Sequence, residues 1–128
     1  MSDLRVLVVE DNPLNADLVS ALLEGEGHTV EIATDAAAFR ERLRGEVPDI
    51  VLMDIMLPDA DGVTLLAELR ARGGWQGVSV LAVTAQALPG DMARFRAAGF
   101  QAVLTKPIDT RTFAGTVLAH SARARGDG

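Results

Sequence analysis

Ile50-Val51-Leu52-Met53 is an unbroken apolar run that stops at a single carboxylate, Asp54, and then turns through Pro58 and Gly62. A run with no polar face belongs in a strand covered on both sides, and such strands fill the middle of parallel sheets. Val6-Leu7-Val8-Val9 has the same character and stops at Glu10-Asp11. Two runs of this kind commit the chain to an α/β architecture, because parallel neighbours need crossover connections, usually helices.

The segments between them have the expected helical period. Asn12-Pro13 reads as an N-cap with proline at the first helical position, and Leu14, Leu18 and Leu22 with Val19 and Leu23 supply an apolar face up to Gly25 and Gly27. His28 to Ala33 alternates, Val30 and Ile32 against Thr29 and Glu31, as an edge strand does. Asp35 caps a second helix expected to run from Ala36 to Arg44, with Phe39 and Leu43 facing inward. A third helix follows Asp61-Gly62 and breaks at Gly73-Gly74; Trp75 in the next loop is expected to cover the core edge. Val78 to Val83 is a fourth strand ending at Thr84. Pro89-Gly90-Asp91 opens a fourth helix through Ala98, Gln101 to Thr105 is a fifth strand ending at Lys106-Pro107, and a last helix with Phe113, Val117 and Leu118 is expected to start near an Asp109 cap. The tail from Arg123 is expected to fray.

This alternation predicts an α/β fold: a flavodoxin-like (βα)5 doubly wound parallel sheet with strand order 2-1-3-4-5. It is read as a single domain over residues 1–128 with its core at about 4–120. No apolar run is long enough to span a bilayer, and Met1-Ser2-Asp3 lacks the layout of a signal peptide, so the expected location is cytoplasmic. The chain has no cysteine, which excludes a disulfide framework or a thiolate metal site. A net charge of −6 opposes nonspecific attraction to nucleic acid or anionic membranes and favours protein partners or cations.

In that topology the strand ends share one edge: Glu10-Asp11 after the first strand, Asp54 closing the third, Thr84 closing the fourth, Lys106 after the fifth. Three crowded carboxylates require a cation or a retained proton. A hard divalent ion such as Mg²⁺, or Mn²⁺ in its place, meets that need. Asp54 is then a plausible nucleophile toward phosphorus, with Lys106 and the Thr84 hydroxyl stabilising the transferred group. Each residue alone is an ordinary loop acid, β former or turn lysine; together they point to phosphoryl transfer.

The motifs Val8-Val9-Glu10-Asp11-Asn12, Asp54-Ile55-Met56-Leu57-Pro58 with Asp61-Gly62, Val83-Thr84-Ala85 and Lys106-Pro107 resemble those of response regulator receiver domains. The resemblance implies that Asp54 accepts a phosphoryl group from a histidine kinase or histidine phosphotransfer protein in a two-component system or phosphorelay. It implies Mg²⁺ held by Asp11, Asp54 and the Met56 backbone carbonyl, with Glu10 acting through water. It implies Thr84 and Lys106 on the phosphoryl oxygens, a cis bond before Pro107, and output through a downstream protein target on the face of the fourth helix, fifth strand and fifth helix. No nucleic acid, no membrane, and a monomer or weak dimer are expected.

The chain departs from the family pattern at Val103, where an aromatic switch residue usually stands. Met56 and Gln86 occupy the two positions that tune hydrolysis, and neither is an acid, so slow self-dephosphorylation is expected. His28 and His120 are read as ordinary surface or strand-end residues, and Phe100 as a core or loop anchor. A stand-alone regulator is the leading reading, with a receiver cut from a hybrid histidine kinase as its variant. An aspartate-nucleophile phosphatase would need an aspartate at position 56, and an FMN carrier would need hydroxyl-rich phosphate loops and more aromatics.

Overall fold

Both unbroken apolar runs lie inside a parallel sheet, in a computed structural model that describes residues 3–85 and 88–121. In chain order the elements are β1 (Arg5–Val9), α1 (Pro13–Glu24), β2 (Thr29–Ala33), α2 (Ala36–Arg42), β3 (Ile50–Asp54), α3 (Gly62–Arg70), β4 (Ser79–Thr84), α4 (Pro89–Ala98), β5 (Ala102–Thr105) and α5 (Phe113–Ala119). The strands pair in the order β2-β1-β3-β4-β5, all parallel, which is the flavodoxin-like order expected from the sequence. Every residue of β3 and β4 is buried, whereas β2 and β5, at the edges, are only partly covered.

Alternation along the strands divides the core into two layers. Leu7, Val9, Val51 and Met53 face one side with Phe39 of α2, Leu65 and Leu66 of α3, and Phe95 of α4. Val6, Val8, Ile50 and Leu52 face the other with Val19 and Leu23 of α1 and Phe113 and Val117 of α5. Trp75 is buried in the first layer at 2% exposure. Arg70 fixes the loop that carries it, donating to the carbonyls of Trp75, Gln76 and Val78 at 3.1, 3.1 and 2.7 Å.

Local chemistry sets the helix starts. Asn12 accepts from the Leu14 and Asn15 amides, Asp35 from Ala38 and Asp61 from Val63. Gly99 ends α4 with φ of 116°, a left-handed conformation that favours glycine.

Three expectations are corrected. The buried stripe of α1 is Ala16, Val19 and Leu23, while Leu14 on the opposite side is 79% exposed and Leu18 is also exposed. α2 ends at Arg42 rather than Arg44, with Leu43 as its C-cap. Asp109 does not cap α5: its carboxylate accepts from the Arg111 amide in a preceding turn, and the helix begins at Phe113. Among the described residues no helix is long and apolar enough to cross a membrane. Gln86 and the tail from Arg123 lie outside the described residues.

Candidate functional site

Register brings the strand-end residues together. Val9 of β1 lies opposite Met53 of β3, so Glu10 and Asp54 leave the sheet side by side. Asp54 pairs with Val83, which places Thr84 one step further on β4, and Thr84 pairs with Thr105, so Lys106 follows on β5. The Lys106 amide donates to the Thr84 carbonyl at 2.9 Å, extending this edge past the last strand residue. The Lys106-Pro107 peptide is cis.

The Lys106 ammonium bridges two carboxylates. Its Nζ lies 3.1 Å from Glu10 Oε1 and 3.2 Å from Asp54 Oδ2. The second Asp54 oxygen, Oδ1, accepts from the Met56 amide at 3.0 Å, so each oxygen of this carboxylate has a donor. Glu10 Oε2 accepts from the Asn12 amide at 3.1 Å. Glu10, Asp54 and Thr84 are buried, while Asp11 is exposed.

Burial pushes the Glu10 carboxyl above its ordinary value; contact with Asp54 adds to this, and the Asn12 amide and Lys106 oppose it. Burial works against the Lys106 charge too, but the hydrogen bond to Glu10 and the charges of Asp54 and Glu10 outweigh it, and the ammonium is held above its ordinary value.

Glu10, Asp11 and Asp54 each offer a carboxylate oxygen, and these atoms lie within 4.8 Å of one another. Three carboxylates against one ammonium leave an excess of negative charge at a buried strand end. All-oxygen donors with that charge suit a hard divalent cation, so the cluster fits Mg²⁺.

The turn after Asp54 is closed by a glycine whose identity is steric. A Cβ on Gly62 would stand 2.9 Å from the Asp54 carbonyl oxygen and 3.0 Å from Ile55 Cα, so α3 can start this close to Asp54 only without a side chain there. The Gly62 amide donates to the Ile55 carbonyl at 2.9 Å. Asp59 in the same turn accepts from the Ala36 amide at 3.0 Å, tying the turn to the start of α2. Sequence reasoning missed the Asp59 tie, because a contact between a loop and a distant helix start leaves no local pattern.

Met56 is exposed. Val103 is partly buried against the first core layer. Phe100 packs edge-to-face on Phe95 at 6.1 Å between ring centres, as a core anchor. His28 is a buried strand-end residue rather than a surface one, and its Nδ1 accepts from the Leu4 amide at 2.9 Å. His120 is the C-cap of α5.

The family model for the response regulator receiver domain matches residues 6–117. Polar-differentiation response regulator DivK from Brucella anthropi is 34% identical over 115 residues, covering 90% of this chain and 94% of the relative. Among solved structures, a CheY-like response regulator receiver domain protein from Methanospirillum hungatei superposes with a TM-score of 0.87 at 28% identity, covering 99% of this chain and 100% of that one. The receiver domain of a sensor histidine kinase from Pseudomonas aeruginosa, with a magnesium ion coordinated in its active site cleft, has a TM-score of 0.81 at 32% identity, covering 91% of this chain and 95% of that one.

Proposed function

This chain belongs to the response regulator receiver domain family, and on that premise we propose that it is a phosphoacceptor, with Asp54 taking a phosphoryl group from a phosphohistidine. The observation that carries the reading is the convergence of Glu10, Asp11, Asp54 and Lys106 at the end of a buried central strand, with Thr84 on the neighbouring one.

An Asp54 oxygen attacks phosphorus, the new O–P bond forms as the N–P bond breaks, and the electron pair returns to the imidazole nitrogen of the donor. The product is an acyl phosphate on Asp54. Two donors, the Met56 amide and the Lys106 ammonium, hold the carboxylate in orientation beforehand. Lys106 then compensates charge on the transferred group, and the Thr84 hydroxyl donates to one of its oxygens. Asp11, Asp54 and the Met56 carbonyl would hold Mg²⁺, with Glu10 in support, and the ion supplies charge neutralisation to the transferring phosphoryl group.

The acyl phosphate decays slowly in this reading, since Met56 offers no acid or base to an attacking water. The chain is therefore a signalling switch that phosphorylates itself from a donor, not a turnover catalyst. Its donor is a histidine kinase or histidine phosphotransfer protein, and its output is a changed protein-binding face on α4, β5 and α5. Residues 4–120 are read as the core of one receiver domain. The likeness to a DivK regulator favours the stand-alone reading, while the neighbour from a sensor histidine kinase favours the hybrid-kinase variant.

Incubation with Mg²⁺ and a small acyl phosphate, read by intact mass, is expected to add one phosphoryl group to the wild type and none to Asp54→Ala. No adduct on the wild type, or an equal adduct on the variant, would overturn the assignment. A phosphorylated lifetime of only seconds would count against slow decay.

A further inference from the structure

A second feature lies beside the same site, on the side of α4. A cleft of about 200 Å³ separates the turn after β3 from α4, and its walls include Met56, Asp61, Thr84, Asp91, Arg94 and Phe95. The Met56 amide donates to Asp54, and Thr84 lies one step past the sheet partner of Asp54, so the cleft runs from residues flanking the phosphoacceptor to the helix. Arg94 is its sole cation among the described residues.

Arg94 is held in a way that leaves it available. Its Nη2 lies 3.7 Å from Asp91 Oδ1, beyond hydrogen-bond length, and both side chains reach solvent, so the pair is weak. Its guanidinium sits 4.7 Å over the ring of Phe95, which is buried and braced by Phe100. The ring fixes the guanidinium at the cleft wall without satisfying its donors. α4 itself is lightly anchored: Phe95 is its buried residue, and its N-cap, Leu88, makes no side-chain cap bond.

A phosphoryl group on Asp54 would add roughly −1.5 to −2 charges next to Thr84. Lys106 is already divided between Glu10 and Asp54. A planar guanidinium prefers a phosphoryl group, which it can engage with two parallel N–H donors, over a distant single carboxylate oxygen.

We propose that Arg94 is the residue through which α4 senses phosphorylation: its guanidinium leaves Asp91 for the phosphoryl oxygens on Asp54 and draws α4 toward the site. This rests on the phosphoacceptor reading. The exchange involves no bond making, only a change of ion-pair partner.

The test uses Mg²⁺ with beryllium fluoride, a phosphoryl mimic, on the full chain. The Arg94 Nε–H resonance, assigned by its loss in Arg94→Gln, is expected to shift on adding the mimic and not on adding Mg²⁺ alone. Arg94→Gln is expected to weaken binding of the mimic about fivefold, as loss of an exposed charge-assisted contact does, and Arg94→Lys to recover part of that. Asp91→Asn is expected to tighten binding when Arg94 is present and to do so less in the Arg94→Gln background.

An unmoved Nε–H signal, equal affinities for wild type and Arg94→Gln, or an Asp91→Asn effect of the same size in both backgrounds would each overturn the exchange while leaving the phosphoacceptor reading intact. A wild type that takes up no mimic overturns that reading, and this proposal with it.

Discussion

Lys106 is the cation that makes a buried pair of carboxylates tolerable. With its ammonium 3.1 Å from Glu10 and 3.2 Å from Asp54, removing it leaves two acids facing each other at 4% exposure each. Lys106→Met is therefore expected to lower the unfolding free energy by about 2 kcal/mol in metal-free buffer, the scale of an uncompensated charge in a partly solvated pair. A divalent ion offers the same carboxylates another partner, so urea denaturation in excess Mg²⁺ should recover much of that loss. A deficit of equal size with and without Mg²⁺ would mean that Lys106 stabilises through packing instead. These residues were legible in the sequence because each ends or follows an apolar run, and the parallel topology collects such ends on one edge. Asp59 was not, since it acts through a contact with a helix start 23 residues away in sequence.

Among the elements, α1 shows where pattern alone runs out. Its sequence carries two apolar faces, Leu14 and Leu18 on one and Ala16, Val19 and Leu23 on the other, and both obey helical spacing. The sheet covers the second, leaving Leu14 79% exposed. Periodicity ranks faces by hydrophobicity, but smaller side chains seat a helix closer to a sheet, and that preference is set by the whole layer. Leu23→Ala is accordingly expected to cost about 2–4 kcal/mol through the cavity it leaves. Leu14→Ala should change stability by less than about 0.5 kcal/mol. Asn12→Ala, which strips the cap from the Leu14 and Asn15 amides, should cost about 1 kcal/mol. Urea titrations of the three variants would read this order directly, and a Leu14→Ala loss matching that of Leu23→Ala would refute the observed orientation of α1. The start of α5 shows a related limit: Asp109 has the chemistry of a cap, but its carboxylate serves a turn ahead of the helix.

At the scale of the whole molecule, the site joins the ends of β1 and β3, two strands held in register by the sheet and brought together only when the chain is folded. A cation bound by Glu10, Asp11 and Asp54 would bind the native state and not the unfolded one, so its binding energy adds to folding stability. At a free Mg²⁺ concentration a hundredfold above the dissociation constant, the gain is about 2.7 kcal/mol. Asp11 separates this linkage from ordinary packing. It is exposed, unlike Glu10 and Asp54, so Asp11→Asn should leave metal-free stability within about 0.5 kcal/mol of the wild type. The same substitution removes one charged ligand, and most of the Mg²⁺-dependent rise in melting temperature should disappear with it. Calorimetry over a Mg²⁺ series would test both halves. A rise of the same slope in wild type and Asp11→Asn would place the ion elsewhere, whereas a large loss in metal-free buffer would mean that Asp11 holds the loop after β1 together rather than a metal.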